Sequence, residues 1–208
     1  VYWGESHDTY SNSPNEGGWT KYINQNAVDR AYAIAASRDG ATALYFSRPY
    51  KTEKTEIMPG VKGSTHFTSR EVAEVNHFHN AMNGQKEWYV HENNVAAVCR
   101  ESGAVVVLGS DGDKEVSVSN GGSTVAPGTY TDQVSGSTWT VTSSTISGRV
   151  GSSGIAVLYN PGPVVKTPTV TISKEGGSFT SDTLSLTIGL KNATSGTYQI
   201  GNEAAQIL

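Results

Sequence analysis

The sequence predicts a multi-domain chain: an α/β segment, an antiparallel all-β sandwich, then a shorter β segment. Three observations predict it. Residues 1–86 run strand, loop, helix, strand, loop, helix, the order of two consecutive βα units. Residues 87–160 carry short apolar alternations broken by Gly, Asn and Asp turns at roughly 8–12-residue spacing. Pro161-Gly162-Pro163-Val164-Val165-Lys166-Thr167-Pro168 places three prolines in eight residues, which makes a stiff, extended linker. A second β pattern follows over 169–208.

The first unit starts with Val1 to Gly4, a short apolar strand whose end delivers Glu5, Ser6, His7 and Asp8. Ser11 to Gly18 is a polar, turn-rich loop. A helix is predicted over Asn24 to Arg38, with Asn24 or Asn26 as cap and Val28, Ala31, Tyr32 and Ala35 on one face. Asp39-Gly40 ends it. Ala41 to Phe46 is wholly apolar apart from Thr42, as a parallel strand buried on both faces would be. A polar loop runs from Ser47 to Thr68. Ser69 then caps a helix through Met82, with Val72, Val75, His79 and Met82 inward, and Asn83-Gly84 closes it.

In the sandwich, Val90, Val95 and Val98, Val105 to Leu108, Val116 and Val118, Trp139 and Val141, and Ile155 and Val157 mark strands. Gly103, Asp111-Gly112, Asn120-Gly121-Gly122, Pro127-Gly128 and Gly136 mark turns. No acid, base or nucleophile constellation lies in this stretch. Beyond the linker, alternating strands flank Gly176-Gly177 and another begins at Thr197.

Composition narrows the function classes. The 208 residues carry 19 acidic and 15 basic side chains, a net charge of −4. That balance and the lack of a basic stripe among the aromatics argue against nucleic acid as a partner. No apolar run approaches the ~20 residues of a membrane span. Only 16% of residues are charged, as suits β-rich extracellular proteins with many turns. The single Cys99, in the strand-like VAAVCRE, reads as a buried thiol. His66, His77, His79 and His91 lack paired ligand spacing, so no metal is assigned. The His77-Phe78-His79 run reads as a helix face beside its own core contact.

Loops that follow parallel strands carry the chemistry in α/β folds. His7 and Asp8 stand on the first such loop and Arg48 on the second. Spacing alone also fits a bland role for His7-Asp8, an N-cap or an Asx turn. Trp19 and Tyr10 lie in the loop region after the first strand, where an aromatic face could take part in binding or simply pack. Arg48 fits an ion pair at the mouth of the fold and also stands among the substrate-binding candidates. Glu5 precedes His7 by one strand period, so both would point the same way if the strand continued.

VYWGESHDTY, with its strand ending in His-Asp, resembles the last conserved sequence region of the α-amylase family of glycoside hydrolases. ATALYFSRP resembles the last barrel strand of a bacterial subgroup, and STHFTSREVAEVNHFHNAMNGQKEWY its last helix and the exit from it. GTYTDQVSG and GSSGIAVLYNPG resemble that subgroup's C-terminal β domain. The likeness is collinear over about residues 1–160. The segment over 169–208 resembles the first strands of immunoglobulin-like modules appended to bacterial carbohydrate-active enzymes. It is too short for the about 100 residues of a whole one.

The resemblance implies a partial (β/α)8 TIM barrel, its last two βα units over 1–86. The all-β amylase domain would follow over 87–160, the linker over 161–168, and a truncated immunoglobulin-like β module over 169–208. It implies that the chain is entered at the seventh barrel strand of a longer, secreted or cell-surface bacterial enzyme that is a monomer when full length. Such enzymes cleave α-glucosidic bonds of starch-like glucans with retention, through two carboxyls roughly 5 Å apart. By resemblance those two belong to strands outside this sequence. Asp8 matches the third carboxylate, which holds hydroxyls of the sugar as it distorts. His7 matches the neighbouring histidine, whose ring can donate and accept at once. No cofactor is implied in this segment, and a calcium site of the longer enzyme would use residues outside it. The expectations are an α-glucan partner, no hydrolysis by this polypeptide alone, and loose packing over residues 1–80, because two βα units cannot close a barrel. The alternative is a non-catalytic carbohydrate-binding or structural β module carrying a barrel remnant.

Overall fold

The computed structural model describes residues 1–160, 169–173, 178, 180, 183–191 and 195–207. The proline-rich linker, Gly176-Gly177 and Phe179 lie outside the described residues. The chain divides into two compact units, Val1–Asn160 and Pro161–Leu208.

In the first unit, β1 (Tyr2–Trp3) pairs in parallel with β2 (Ala43–Leu44). Between them come the one-turn α1 (His7–Ser11) and α2 (Gln25–Ser37); α3 (Arg70–Ala81) follows. The caps read from sequence are in place. Asn24 accepts the Ala27 N–H at 2.8 Å and Ser69 the Val72 N–H at 3.5 Å. Gly40 and Gly84 take the left-handed conformation after the helices.

Two details of the helix faces differ from the periodicity. Ala31 is exposed while Ala33 and Ala36 are buried, and Phe78 takes the core position expected for His79. Both shifts rotate the buried stripe toward a partner that the helical pattern cannot reveal. That partner is the sandwich.

The sandwich consists of two four-stranded antiparallel sheets. One has the order β10-β5-β4-β3, from β3 (Glu87–Glu92), β4 (Val95–Arg100), β5 (Gly103–Leu108) and β10 (Ile155–Tyr159). The other has the order β6-β9-β8-β7, from β6 (Lys114–Ser119), β7 (Gly128–Thr131), β8 (Thr138–Val141) and β9 (Thr145–Val150). Asn93 and Asn94 both take positive φ in the β3–β4 turn, the conformation a two-residue hairpin needs. Strands β7 and β9 were not marked by the apolar pattern. In β9 the reason is Gly148: a Cβ there would meet the Trp139 ring at 2.4 Å, so the strand gives up a side chain to seat the indole.

Two cores result. Between the sheets, Trp139, Ile146, Val106, Leu158 and Cys99 pack together. On the outer face of the first sheet, Val105, Val107, Ile155, Val157 and Tyr159 pack against Tyr32, Ala33, Ala36, Val72, Val75 and Phe78 of the helices. The helices are therefore not left without partners, as the expectation of loose packing over residues 1–80 required. Their inner stripes are covered by the sheet, whose own outer face needs that cover. Arg100, 1% exposed, reinforces the joint by donating to Asp39 Oδ1 (2.8 Å) and to the carbonyls of Met82 (2.9 Å) and Gln85 (2.6 Å). Asp132, in the GTYTDQVSG stretch, is fully buried and accepts N–H groups of Val134 and Val157, so it holds a turn against β10.

Strands β1 and β2 are less covered than the apolar run predicts. Tyr2, Trp3 and Leu44 are each more than half exposed.

In the second unit, β11 (Thr169–Ile172) pairs antiparallel with β12 (Ile188–Lys191), and β13 (Thr197–Tyr198) with β14 (Gln206–Ile207). Ile172, Leu184, Leu186, Ile188 and Ile200 line a mainly apolar hollow of about 510 Å³.

Candidate functional site

The parallel pairing of β1 and β2 sends both following segments out from the same end, which brings the residues singled out in the sequence together. Ser6 caps α1: its Oγ accepts the Thr9 N–H (3.3 Å) while its own N–H donates to Thr9 Oγ1 (3.0 Å). This reciprocal box turns the chain sharply at the strand end and sets His7 and Asp8 in the first turn of α1. Their side chains are 78% and 67% exposed, with His7 Nε2 3.3 Å from Asp8 Oδ1. Neither is spent on the fold.

Glu5 and Arg48 are spent entirely on it. The Glu5 side chain is fully buried, and Arg48 meets it with two parallel hydrogen bonds, Nε to Oε2 at 2.8 Å and Nη2 to Oε1 at 2.9 Å. The rest of the guanidinium donates to the carbonyls of Ile23 (2.8 Å) and Thr20 (2.9 Å). Burial works against the Arg48 charge, but the hydrogen bonds and the charge of Glu5 outweigh it and raise its pKa. A fork of this kind joins the end of β1, the end of β2 and the intervening loop at one point. Arg48 thus acts as the ion-pair partner that one of its two sequence readings proposed.

Tyr10 is 5% exposed. Arg48 lies 5.4 Å from its ring centroid and Phe46 packs against it at 5.8 Å, so its ring is committed to packing. Burial raises its phenol pKa. Trp19 is 55% exposed and held from the backbone, its N–H donating to the Thr9 carbonyl (2.9 Å). The loop before it closes tightly: a Cβ on Gly18 would sit 1.9 Å from the Asn12 carbonyl oxygen. Trp19 therefore offers an open ring where Tyr10 does not.

Another buried carboxylate near the site escaped the sequence reading. Asp29, 3% exposed, accepts from the Tyr45 hydroxyl (2.9 Å) and Gln25 (3.0 Å) and lies 2.7 Å from His66 Nε2. It anchors the end of the 47–68 loop to α2. Burial, then the Asp29 charge, pushes the Tyr45 phenol pKa up. Nothing in the spacing of Asp29 marked it, because its partners Tyr45 and His66 lie far along the chain.

A cleft of about 510 Å³ opens beside His7, between α1 and the 47–68 loop. His7, Ser11, Phe46, Lys62, Thr65 and Phe67 are among its walls. Among the described residues no group of three or more His, Cys, Asp or Glu side chains could hold a metal ion.

An exposed His-Asp pair at the end of a parallel strand could serve many chemistries. The chain is 31% identical over 198 residues to an α-amylase of Clostridium acetobutylicum, a match covering 91% of this chain and 24% of that protein. It is 32% identical over 172 residues to an α-amylase of Butyrivibrio fibrisolvens, covering 76% and 17% respectively.

The chain is a homologue of the bacterial α-amylases.

This α-amylase homologue spans less than a quarter of the length of the relatives it matches. Its fold is similar to that of a solved α-amylase. α-Amylase I from Eisenia fetida superimposes with a TM-score of 0.55 at 16% identity, covering 75% of this chain and 40% of that one. No protein-family profile matches the sequence.

Proposed function

We propose that this chain supplies the last two βα units and the C-terminal β domain of an α-amylase-type retaining glycoside hydrolase acting on starch-like α-glucans. One observation carries the reading. In a homologue of α-amylases, the parallel strands β1 and β2 end side by side, and His7 and Asp8 stand there with side chains free of the fold. Asp8 accepts hydroxyls of the sugar under attack and favours its charged, flattened ring. Such a contact strengthens as charge develops, so it acts on turnover more than on binding. His7 hydrogen-bonds the same sugar. The nucleophile and the acid/base carboxyl come from strands outside this sequence, so this polypeptide by itself does not cleave starch. The remaining parts are a proline-rich linker and the start of an immunoglobulin-like module. The intact enzyme is exported to the cell surface or medium and works as a monomer.

The test is a chimera in which residues 1–160 replace the matching segment of the Clostridium acetobutylicum relative. The chimera is expected to release reducing sugar from soluble starch. Asp8→Asn in it lowers kcat by several orders of magnitude with a much smaller change in KM. An active chimera indifferent to Asp8→Asn would overturn the reading, as would starch cleavage by the 208-residue chain alone.

A further inference from the structure

The turn that joins α3 to β3 holds Asn83-Gly84, one of two Asn-Gly pairs in the sequence. The other is Asn120-Gly121, between β6 and β7. The fold treats the two in opposite ways. Asn120 is 2% exposed. Its Nδ2 donates to the carbonyls of Val125 and Thr142, both at 2.8 Å, and its Oδ1 accepts the Val125 N–H at 2.9 Å. Gly121 lies against the Trp88 ring, where a Cβ would meet Nε1 at 2.0 Å. Asn83 and Gly84, by contrast, are both exposed. No hydrogen bond among the described residues holds the Asn83 amide or the Gly84 N–H. Gly84 takes a φ of +79°, and a Cβ there would meet no atom within 4 Å, so nothing crowds the junction.

The same turn carries the joint between the helices and the sandwich. The carbonyls of Met82 and Gln85 bracket the pair, and both accept from Arg100 Nη2. The Gln85 side chain is bound to Ser102 at both ends, its Nε2 donating to Oγ at 3.1 Å and its Oε1 accepting the Ser102 N–H at 2.9 Å. We propose that Asn83 is a site of spontaneous deamidation and backbone isomerisation, and that the isomerised product loosens the joint at Arg100. The Gly84 backbone nitrogen, having lost its proton to hydroxide, attacks Asn83 Cγ. The new C–N bond closes a cyclic imide, the bond from Cγ to Nδ2 breaks, and Nδ2 takes a proton from water and leaves as ammonia. A second water then opens the imide. Opening at Cγ gives aspartate. Opening at the main-chain carbonyl gives isoaspartate, whose backbone runs through Cβ and Cγ. The exchange consumes water, releases ammonia and involves no oxidation. Glycine favours it, since it has no side chain to hinder ring closure. Isoaspartate inserts an extra backbone atom between the two carbonyls that share Arg100 Nη2, so both cannot keep their places. Arg100 is 1% exposed, and water does not readily replace an acceptor lost there.

The experiment ages the whole 208-residue chain in mildly alkaline buffer. Mass spectrometry follows the tryptic peptides Glu71–Lys86 and Glu115–Arg149, and enzymatic methylation of isoaspartate reports the isomer. Asn83 is expected to react about tenfold or more faster than Asn120, whose amide must first shed buried hydrogen bonds. Its rate rises with pH, because the deprotonated nitrogen is the attacking group. The isomerised fraction is expected to melt about 2–4 °C lower, the effect of one lost buried hydrogen bond in a chain of this size. Asn83→Gln, aged alongside, keeps its midpoint because the longer side chain closes a ring far more slowly. Freshly purified Asn83→Asp has the charge without the extra backbone atom and melts with the parent. Equal rates at Asn83 and Asn120 overturn the proposal. So does an isomerised Asn83 that melts with the parent, or a fresh Asn83→Asp that melts as low as the aged chain.

Discussion

Two sets of strands in this protein look alike in sequence and differ in what covers them. VAAVC, GAVVVL and IAVLY in β4, β5 and β10 are near-continuous apolar runs, and every residue of those strands is buried. VYW and ALYF around β1 and β2 read the same way, yet Tyr2, Trp3 and Leu44 stand more than half exposed. The difference lies in neighbours. The central sheet has a second sheet on one face and two helices on the other, while β1 and β2 form a two-stranded pair. A continuous apolar run announces that two faces want cover. It does not say which element supplies it.

The largest test of this contrast removes one large ring from each face of the covered sheet. Trp139 is fully buried between the sheets and Phe78 fully buried between α3 and the central sheet. Trp139→Ala and Phe78→Ala are each expected to cost about 3–5 kcal/mol in urea unfolding. The two should lower one shared transition, seen alike by helix circular dichroism and by hydrogen exchange in β5. Separate transitions in Phe78→Ala would break the claim that helices and sandwich fold as one body. At the end of β1, Glu5→Gln leaves the buried Arg48 without its anionic partner. A loss near the lower end of about 3–5 kcal/mol is expected, although the neighbouring strand residues are exposed. A loss below about 1 kcal/mol would show that the pair is open to water.

Alkaline stability probes the covered sheet. Burial pushes the Cys99 thiol from 9.0 to about 12, with the Glu87 charge adding to it. The unfolded chain releases that proton near the ordinary value while the folded chain holds it. Stability is therefore intact below about pH 9 and falls as the pH rises toward 12. The Tyr159 phenol, pushed up to about 12 by burial and its hydrogen bond to Glu74, acts in the same direction. Cys99→Ala is expected to flatten the decline, as measured by unfolding at successive pH values. The smallest effect belongs to Trp3→Ala, expected within about 0.5 kcal/mol of the parent because the ring is exposed. A cost comparable with Trp139→Ala would erase the distinction between the two sets of strands.

Much of this architecture was legible in the residues. Asn24 and Ser69 marked the helix starts because a short polar side chain before an apolar stripe has few other uses. The parallel β1–β2 pair followed from the repeated βα order, and the placement of His7, Asp8 and Arg48 at one end followed from it in turn. What escaped depended on distant partners. Glu5 and Arg48 are 43 positions apart, and nothing local tells a carboxylate that it will be sealed under a guanidinium. The Asp29–His66–Tyr45 cluster joins three segments by the same kind of long-range contact. Strands β7 and β9 hid because one offers a single buried tyrosine and the other gives its central position to Gly148.

Arg100 has a bearing on how such chains are cut and joined over evolutionary time. A fusion made near residue 86 would bring in the sandwich without the carbonyls of Met82 and Gln85 and without Asp39. The incoming sheet would carry an unpartnered guanidinium beside five apolar side chains that its new host must cover. A fusion upstream of Gln25 would bring the helices, the sheet and the contacts between them together. The heritable module is the composite of two helices and a sandwich, and its indivisible seam runs through Arg100.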